Sequence, residues 1–166
     1  MNKKRYEMTV RFFTENKIAH TILTIIYKVL PNVMFVAYPA LLLAMFFILG
    51  FRREWVMLVC VPLGVLLLVS VLRMVIDAER PYEKYGIPSV FDKKTERQSM
   101  PSRHTASAYI IAMTFLKVNP PLGFVALFFA SLIEASRVMA GAHFIRDVVV
   151  GAVIGISAGI IFYFVI

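Results

Sequence analysis

The chain has 166 residues, 60% of them hydrophobic, with a mean hydropathy of +0.77. Soluble domains are about 45–50% apolar, so this composition excludes a soluble globular protein and indicates a single membrane domain, residues 1–166. The net charge of +8 does not indicate nucleic acid as a partner, because the basic residues are not in a soluble domain. An anionic bilayer surface and an anionic substrate explain it better.

The first predicted elements are an amphipathic helix and a long apolar stretch. Residues 3–17 mix basic and apolar positions at helical spacing, which predicts a helix lying at the bilayer surface; the alternative is a frayed, solvated terminus. Residues 18–50 are apolar but interrupted at Pro31 and Pro39. Because about 20 residues span a bilayer, this stretch predicts either two spans meeting at Pro31 or one span preceded by an interfacial segment.

The remaining spans follow in a regular order. Residues 55–76 are the clearest span, with Trp55 at the interface, and a polar loop covers residues 77–100. Three more apolar runs cover residues 102–116, 122–138 and 144–166. The predicted fold class is therefore all-α: an integral membrane helical bundle of about six transmembrane helices with an N-terminal amphipathic segment. In the last span, glycines recur every four residues, which predicts a helix-packing face: Gly151, Gly155 and Gly159.

Histidines, arginines and an aspartate lie at the ends of these apolar runs. Ionisable residues within membrane segments are costly and are functional candidates by default. Counting crossings from the span 55–76 returns Arg137 and His143 to the same membrane face as Arg80 and His104. The span order thus predicts that these side chains share one site.

His143 and Asp147 are four residues apart at a predicted helix start, hence one turn apart on one face. A carboxylate that accepts from one ring nitrogen leaves the other nitrogen more nucleophilic. The alternative is a structural ion pair, since Asp is favourable near a helix N-terminus.

The sequence Pro101-Ser102-Arg103-His104 predicts the N-terminus of the next helix, opened by the proline. Free backbone N–H groups and the helix dipole make such an end suited to an anion. His104 in the first turn could then protonate a leaving oxygen.

Arginines supply further positive charge at the same face. Arg73 and Arg80 are seven residues apart, so we expect both on one side of a helix end, with Arg80 held out of α conformation by Pro81. Guanidinium groups match phosphate oxygens with paired donors. The alternatives are snorkelling of Arg73 to the interface and a local pair between Glu134 and Arg137.

Together these residues resemble the three-part signature of the type 2 phosphatidic acid phosphatase superfamily, and the likeness extends from about residue 33. Two positions depart from the family pattern: Arg73 replaces a lysine and Arg103 replaces a glycine. The three motifs are Arg73-x6-Arg80-Pro81, Pro101-Ser102-Arg103-His104 and Ser136-Arg137-x5-His143-x3-Asp147.

The resemblance implies a two-step phosphatase reaction without metal or cofactor. His143 would attack phosphorus, oriented by Asp147, and His104 would protonate the leaving oxygen and then activate water. The phosphoryl oxygens would be held by Arg73, Arg80, Ser102, Arg103 and Arg137. Small bacterial members of this type act on phosphatidylglycerol phosphate, phosphatidic acid or undecaprenyl pyrophosphate.

The partners implied are a lipid phosphate substrate and the bilayer itself, while nothing in the sequence specifies an oligomeric state. The resemblance implies a cell-membrane protein whose site faces away from the cytoplasm. Basic turns near Arg53 and Lys117 then favour a cytoplasmic N-terminus and six crossings. Rival functions are a lipid-phosphate binder or transporter without turnover, and a phosphotransferase with an acceptor other than water.

Overall fold

The computed structural model describes residues 2–93 and 95–166, and within these ranges all regular structure is helical. The all-α prediction is therefore confirmed. Two π-helical turns, Ile25–Val29 and Ile161–Val165, extend or join α-helices. The α-helices are α1 Lys3–Glu15, α2 Lys17–Thr24, α3 Leu30–Leu49, α4 Arg53–Ile76, α5 Pro81–Tyr85, α6 Arg103–Val118, α7 Pro120–Met139 and α8 Ile145–Ile160.

Among the described residues, four segments are long and apolar enough to cross a membrane: Lys17–Leu49, Arg53–Tyr85, Pro120–Met139 and Ile145–Val165. The fifth crossing is α6, whose 16 residues rise about 24 Å at 1.5 Å per residue. This helix lies at the centre of the bundle, with residues on most of its faces buried. Its position explains why a short helix with several polar residues stays within the membrane domain.

Of the two alternatives for residues 18–50, that of two spans meeting at Pro31 is wrong. Helices α2 and α3 and the π-helical turn between them form one continuous 33-residue segment, Lys17–Leu49. Pro31 lies in the first turn of α3, where a missing N–H costs little. The described residues before position 50 therefore form one spanning segment, which with α4, α6, α7 and α8 gives five crossings in the part of the chain that the structure describes, with α1 outside them.

Helix α1 lies on the same face of the bundle as the predicted site. Tyr6 is fully buried, and its hydroxyl donates to the carbonyls of Ile87 at 3.2 Å and Gly141 at 3.4 Å. Gly141 has φ of +72°, and a Cβ there would lie 2.8 Å from the Tyr6 ring. The predicted helix is confirmed, but an N-terminus on the face opposite the site is excluded.

The glycine pattern of the last span is a packing face, as predicted. A Cβ at Gly151 would lie 2.7 Å from the carbonyl oxygen of Ser102, and one at Gly155 would lie 2.7 Å from that of Ala106. Small residues thus let α8 approach the backbone of α6. This approach also sets the distance between the beginnings of α6 and α8, where the candidate site lies.

Candidate active site

Arg73 and Arg80 are both buried but do not lie on one helix. Helix α4 ends at Ile76, and Arg80 precedes α5 in extended conformation, with φ of −90° and ψ of 160°. The prediction of a shared helix side is wrong, whereas the effect of Pro81 on Arg80 is confirmed. Arg73 Nη1 donates to the Pro101 carbonyl at 3.2 Å, so the α4 end is held against the start of α6.

Arg80 joins the two loops that border the site. Its Nε donates to the Arg97 carbonyl at 2.9 Å and its Nη1 to the Ala142 carbonyl at 3.5 Å. Its backbone N–H donates to the Glu83 carboxylate at 2.8 Å. These bonds use two of the guanidinium N–H groups and place the charge beside the turn that carries His143.

Helix α6 begins at Arg103, two residues later than a helix opened by Pro101 would begin. Ser102 is the N-cap, and its backbone N–H donates to the Asp147 carbonyl at 2.8 Å. The Ser102 N–H is therefore occupied and is not free to bind an anion. The groups of Arg103 and His104 remain in the first turn, where helical N–H groups have no partner within the helix.

Arg137 is held by an aromatic residue that the sequence reasoning missed. The guanidinium carbon lies 4.0 Å from the centre of the Tyr27 ring, and Nη2 donates to the Tyr27 carbonyl at 3.1 Å. In an α-helix that carbonyl would accept from residue 31, which is proline and has no N–H. Glu134 instead accepts from Tyr109 at 2.7 Å, so the predicted local pair with Arg137 is not formed.

The buried Nε–H of Arg137 has no hydrogen-bond partner within the described part of the chain. A buried charge is costly unless it is paired. The cation–π contact with Tyr27 offsets part of this cost, and a phosphate oxygen would supply the missing acceptor. This arrangement favours anion binding by Arg137.

His143 lies in the turn before α8, which begins at Ile145. The prediction that His143 is part of the helix start is therefore wrong. Its Nδ1 is 3.8 Å from Asp147 Oδ2, which is too long for a direct hydrogen bond. Asp147 Oδ2 accepts the Phe144 N–H at 2.9 Å, so the carboxylate also caps the helix. The catalytic and the structural interpretations of this pair are therefore compatible.

Ser99 fills the gap between these two side chains and was not predicted from the sequence. It is fully buried, and its Oγ lies 2.5 Å from Asp147 Oδ2 and 3.4 Å from His143 Nδ1. Arg146 Nε approaches the other oxygen, Oδ1, at 3.5 Å. Ser99 lies 44 residues before His143 in an irregular loop, so neither spacing nor periodicity could have identified it.

The turn that carries His143 is almost completely shielded, with the imidazole 2% exposed. Burial lowers the pKa of His143 to about 4. The positive charges of Arg80 and Arg73 also lower this pKa, whereas Asp147 raises it. The ring is therefore neutral at neutral pH and becomes protonated only as the pH falls towards that value. A neutral imidazole keeps the lone pair that a nucleophile requires.

His104 faces the same centre from α6. It lies within electrostatic range of Arg137, His143 and Arg103. The His104 side chain is exposed, whereas the His143 side chain is buried. His104 and Arg103 border a cavity of about 270 Å³ whose other walls are mainly apolar. These walls include Met34, Phe35, Leu66, Ile111 and Ile133.

The predicted residues therefore come together at one end of the bundle. Arg73, Arg80 and Asp147 are buried close to His143, and the buried Arg137 is close to His104. Arg103 and His104 border the cavity. Within residues 2–93 and 95–166, no group of three His, Cys, Asp or Glu side chains is arranged to hold a metal ion. The charge of the site comes from arginine, which suits an anionic group.

Comparisons with known proteins agree with this geometry. The sequence profile of the PAP2 superfamily matches residues 55–166, whereas a search of curated protein sequences gives no match. The fold is similar to the crystal structure of Aquifex aeolicus LpxE, with 27% identity, a TM-score of 0.71, and coverage of 93% of this chain and 92% of that one.

It is also similar to a transmembrane PAP2-type phosphatidylglycerolphosphate phosphatase from Bacillus subtilis. That match has 20% identity and a TM-score of 0.72, and covers 96% of this chain and 83% of the other. At this identity the likeness concerns the fold, which agrees with the family match. The chain, an all-α membrane bundle with its three motifs gathered at one end, therefore belongs to the PAP2 superfamily.

Proposed function

We propose that the protein is a membrane lipid phosphatase that works through a phosphohistidine without a metal ion. The observation that carries this proposal is a buried His143 beside Asp147, with Arg73 and Arg80 close to the imidazole. Phosphoryl transfer depends mainly on positioning and on stabilising charge over the phosphoryl oxygens. A nucleophile set among fixed guanidinium groups meets both needs.

In the first step, Nε2 of His143 forms a bond to phosphorus while the bond to the leaving oxygen breaks. His104 gives its proton to that oxygen. In the second step, water attacks the phosphohistidine, His104 accepts the water proton, and phosphate leaves. Arg73, Arg80 and Arg137 stabilise the charge that develops on the phosphoryl oxygens.

The apolar cavity beside Arg103 and His104 supports a lipid as the substrate. Its walls are formed by residues from four helices, and two of these residues are exposed on the lipid-facing side, Phe35 (70%) and Leu66 (39%). An acyl or isoprenyl chain placed there would bring its phosphate to the start of α6. The arginine at position 103 would then lie at the junction between the chain and the phosphate.

Phosphate release from a panel of lipid mono- and diphosphates tests this function on the purified protein. We expect release from at least one lipid phosphate and much less from glycerol 3-phosphate, which cannot fill the cavity. Activity should survive a chelator and be inhibited by vanadate, which adopts the five-coordinate geometry of the transfer. Binding without release would favour a lipid carrier, and a phosphorylated alcohol formed from an added alcohol would favour a phosphotransferase.

We further propose that the site faces away from the cytoplasm, as the family resemblance implies. The positive-inside rule opposes this orientation, because α1 and the loop before α6 place many basic residues on the site face. Single-cysteine variants made in the Cys60→Ala background can distinguish the two orientations. We expect a membrane-impermeant maleimide to label Glu96→Cys in intact cells and Phe51→Cys only after lysis. The reverse pattern would place the site in the cytoplasm.

A further inference from the structure

We propose that Ser99 is a positioning residue that connects His143 to Asp147 and fixes the reactive form of the imidazole; the inference rests on the proposed function of this site. The 3.8 Å separation of His143 Nδ1 from Asp147 Oδ2 leaves no direct hydrogen bond. Ser99 Oγ contacts both atoms, at 3.4 Å from Nδ1 and 2.5 Å from Oδ2. The hydroxyl therefore bridges the nucleophile and its carboxylate.

The single proton of this hydroxyl determines the state of the ring. An ionised carboxylate can only accept, so Ser99 must donate to Asp147. The Phe144 N–H donates to the same carboxylate oxygen at 2.9 Å, which agrees with an ionised Asp147. Because the Ser99 proton is already used, His143 Nδ1 must carry a hydrogen and donate it to Ser99 Oγ.

This tautomer leaves the lone pair on Nε2. Attack by Nε2 on phosphorus makes the ring cationic, with hydrogen still on Nδ1. The positive charge is then stabilised through Ser99 by the negative charge of Asp147, and no proton needs to move along the bridge. Hydrogen-bond partners that orient metal-binding histidines typically contribute about 10- to 100-fold to activity, and we expect an effect of the same order for an orienting partner of His143.

The backbone around Ser99 does not depend on its hydroxyl. The Ser99 N–H donates to the Ala78 carbonyl at 2.9 Å, and this bond is kept when the side chain is shortened. Ser99→Ala should therefore fold normally. A matched control is Ser89→Ala in the same loop, because Ser89 is also buried but its Oγ accepts from the Lys93 N–H at 3.1 Å rather than bonding to His143 or Asp147.

The test compares kcat and KM for these variants on the best lipid phosphate. We expect Ser99→Ala to lower kcat about 10- to 100-fold with little change in KM, and Ser89→Ala to retain wild-type kcat. Because Ser99 acts through Asp147, Ser99→Ala combined with Asp147→Asn should lose no more than the worse single variant. Equal kcat in the two serine variants, or losses that multiply, would overturn the proposal.

The ring tautomer provides a readout that does not need activity. Nitrogen-15 spectra, with the His143 signals identified by comparison with His143→Ala, should place hydrogen on Nδ1 in the wild type and a mixture of tautomers in Ser99→Ala. Hydrogen on Nε2 in the wild type would refute the bridge even in an active enzyme. An inactive wild type with hydrogen on Nδ1 would instead refute the proposed phosphatase and leave the bridge supported.

Discussion

Replacing His143 with alanine should reduce the release of phosphate from lipid substrates by at least about a thousandfold, as expected when a covalent nucleophile is removed. The buried arginines would still bind the phosphate, so we expect binding of lipid phosphate to persist. The fold should also survive, because Asp147 keeps its bonds to Ser99 and to the Phe144 N–H. Phosphate release measured beside thermal unfolding separates loss of chemistry from loss of structure.

His20→Ala is the matched control, since the chain has three histidines and His20 lies in α2 against Phe91. It should remain active. A brief reaction with phosphorus-labelled lipid should leave label on the wild-type protein that is stable in base and lost in acid, and none on His143→Ala. Wild-type turnover by His143→Ala would eliminate the phosphohistidine mechanism, and label persisting in that variant would place the nucleophile elsewhere.

The sequence predicts the parts of this site that depend on order and spacing. Long apolar runs locate the spans, and the direction of successive crossings puts His104, Arg137 and His143 at one end. The four-residue repeat of glycines predicts close helix packing, which occurs between α6 and α8. These features are local or follow from the thickness of the bilayer, so a single sequence is sufficient to infer them.

Contacts between distant segments could not be predicted in the same way. Ser99 meets His143 and Asp147 only because the loop before α6 folds over the start of α8. Pro31 suggested a turn because proline lacks an N–H, but this loss is tolerated in the first turn of α3. The Tyr27 carbonyl, four residues earlier, accepts a hydrogen bond from Arg137 instead. Hydropathy carries no information on either contact.

The placement of α1 is a further long-range effect with a functional consequence. Buried Tyr6 fastens α1 to Ile87 and Gly141, two residues before His143. The turn that holds His143 is therefore packed against α1, which carries several basic residues. This contact places the N-terminus on the same membrane face as the site. The basic residues near the N-terminus therefore no longer support a site that faces away from the cytoplasm.

Replacing Gly155 with alanine should destabilise the protein, although helix propensity alone predicts a gain of up to about 1 kcal/mol for Gly to Ala. The new Cβ would lie 2.7 Å from the Ala106 carbonyl oxygen and 3.0 Å from the Tyr109 Cβ. Backbone on α6 cannot yield like a flexible side chain, so α8 must move away. Overpacking of this kind typically costs about 1–3 kcal/mol.

Gly64→Ala provides the matched control, because Gly64 also lies inside a transmembrane helix, α4, but its added Cβ meets nothing within 4 Å. We expect Gly64→Ala to keep or raise the melting temperature, and Gly155→Ala to lower it by roughly 2–4 °C per kcal/mol lost. Activity should fall with Gly155→Ala even below its melting temperature. Moving α8 away from α6 also separates Asp147 from Ser102, whose backbone bond joins the two helix starts at 2.8 Å. Equal melting temperatures for the two variants would mean that the glycine face does not set the distance between α6 and α8.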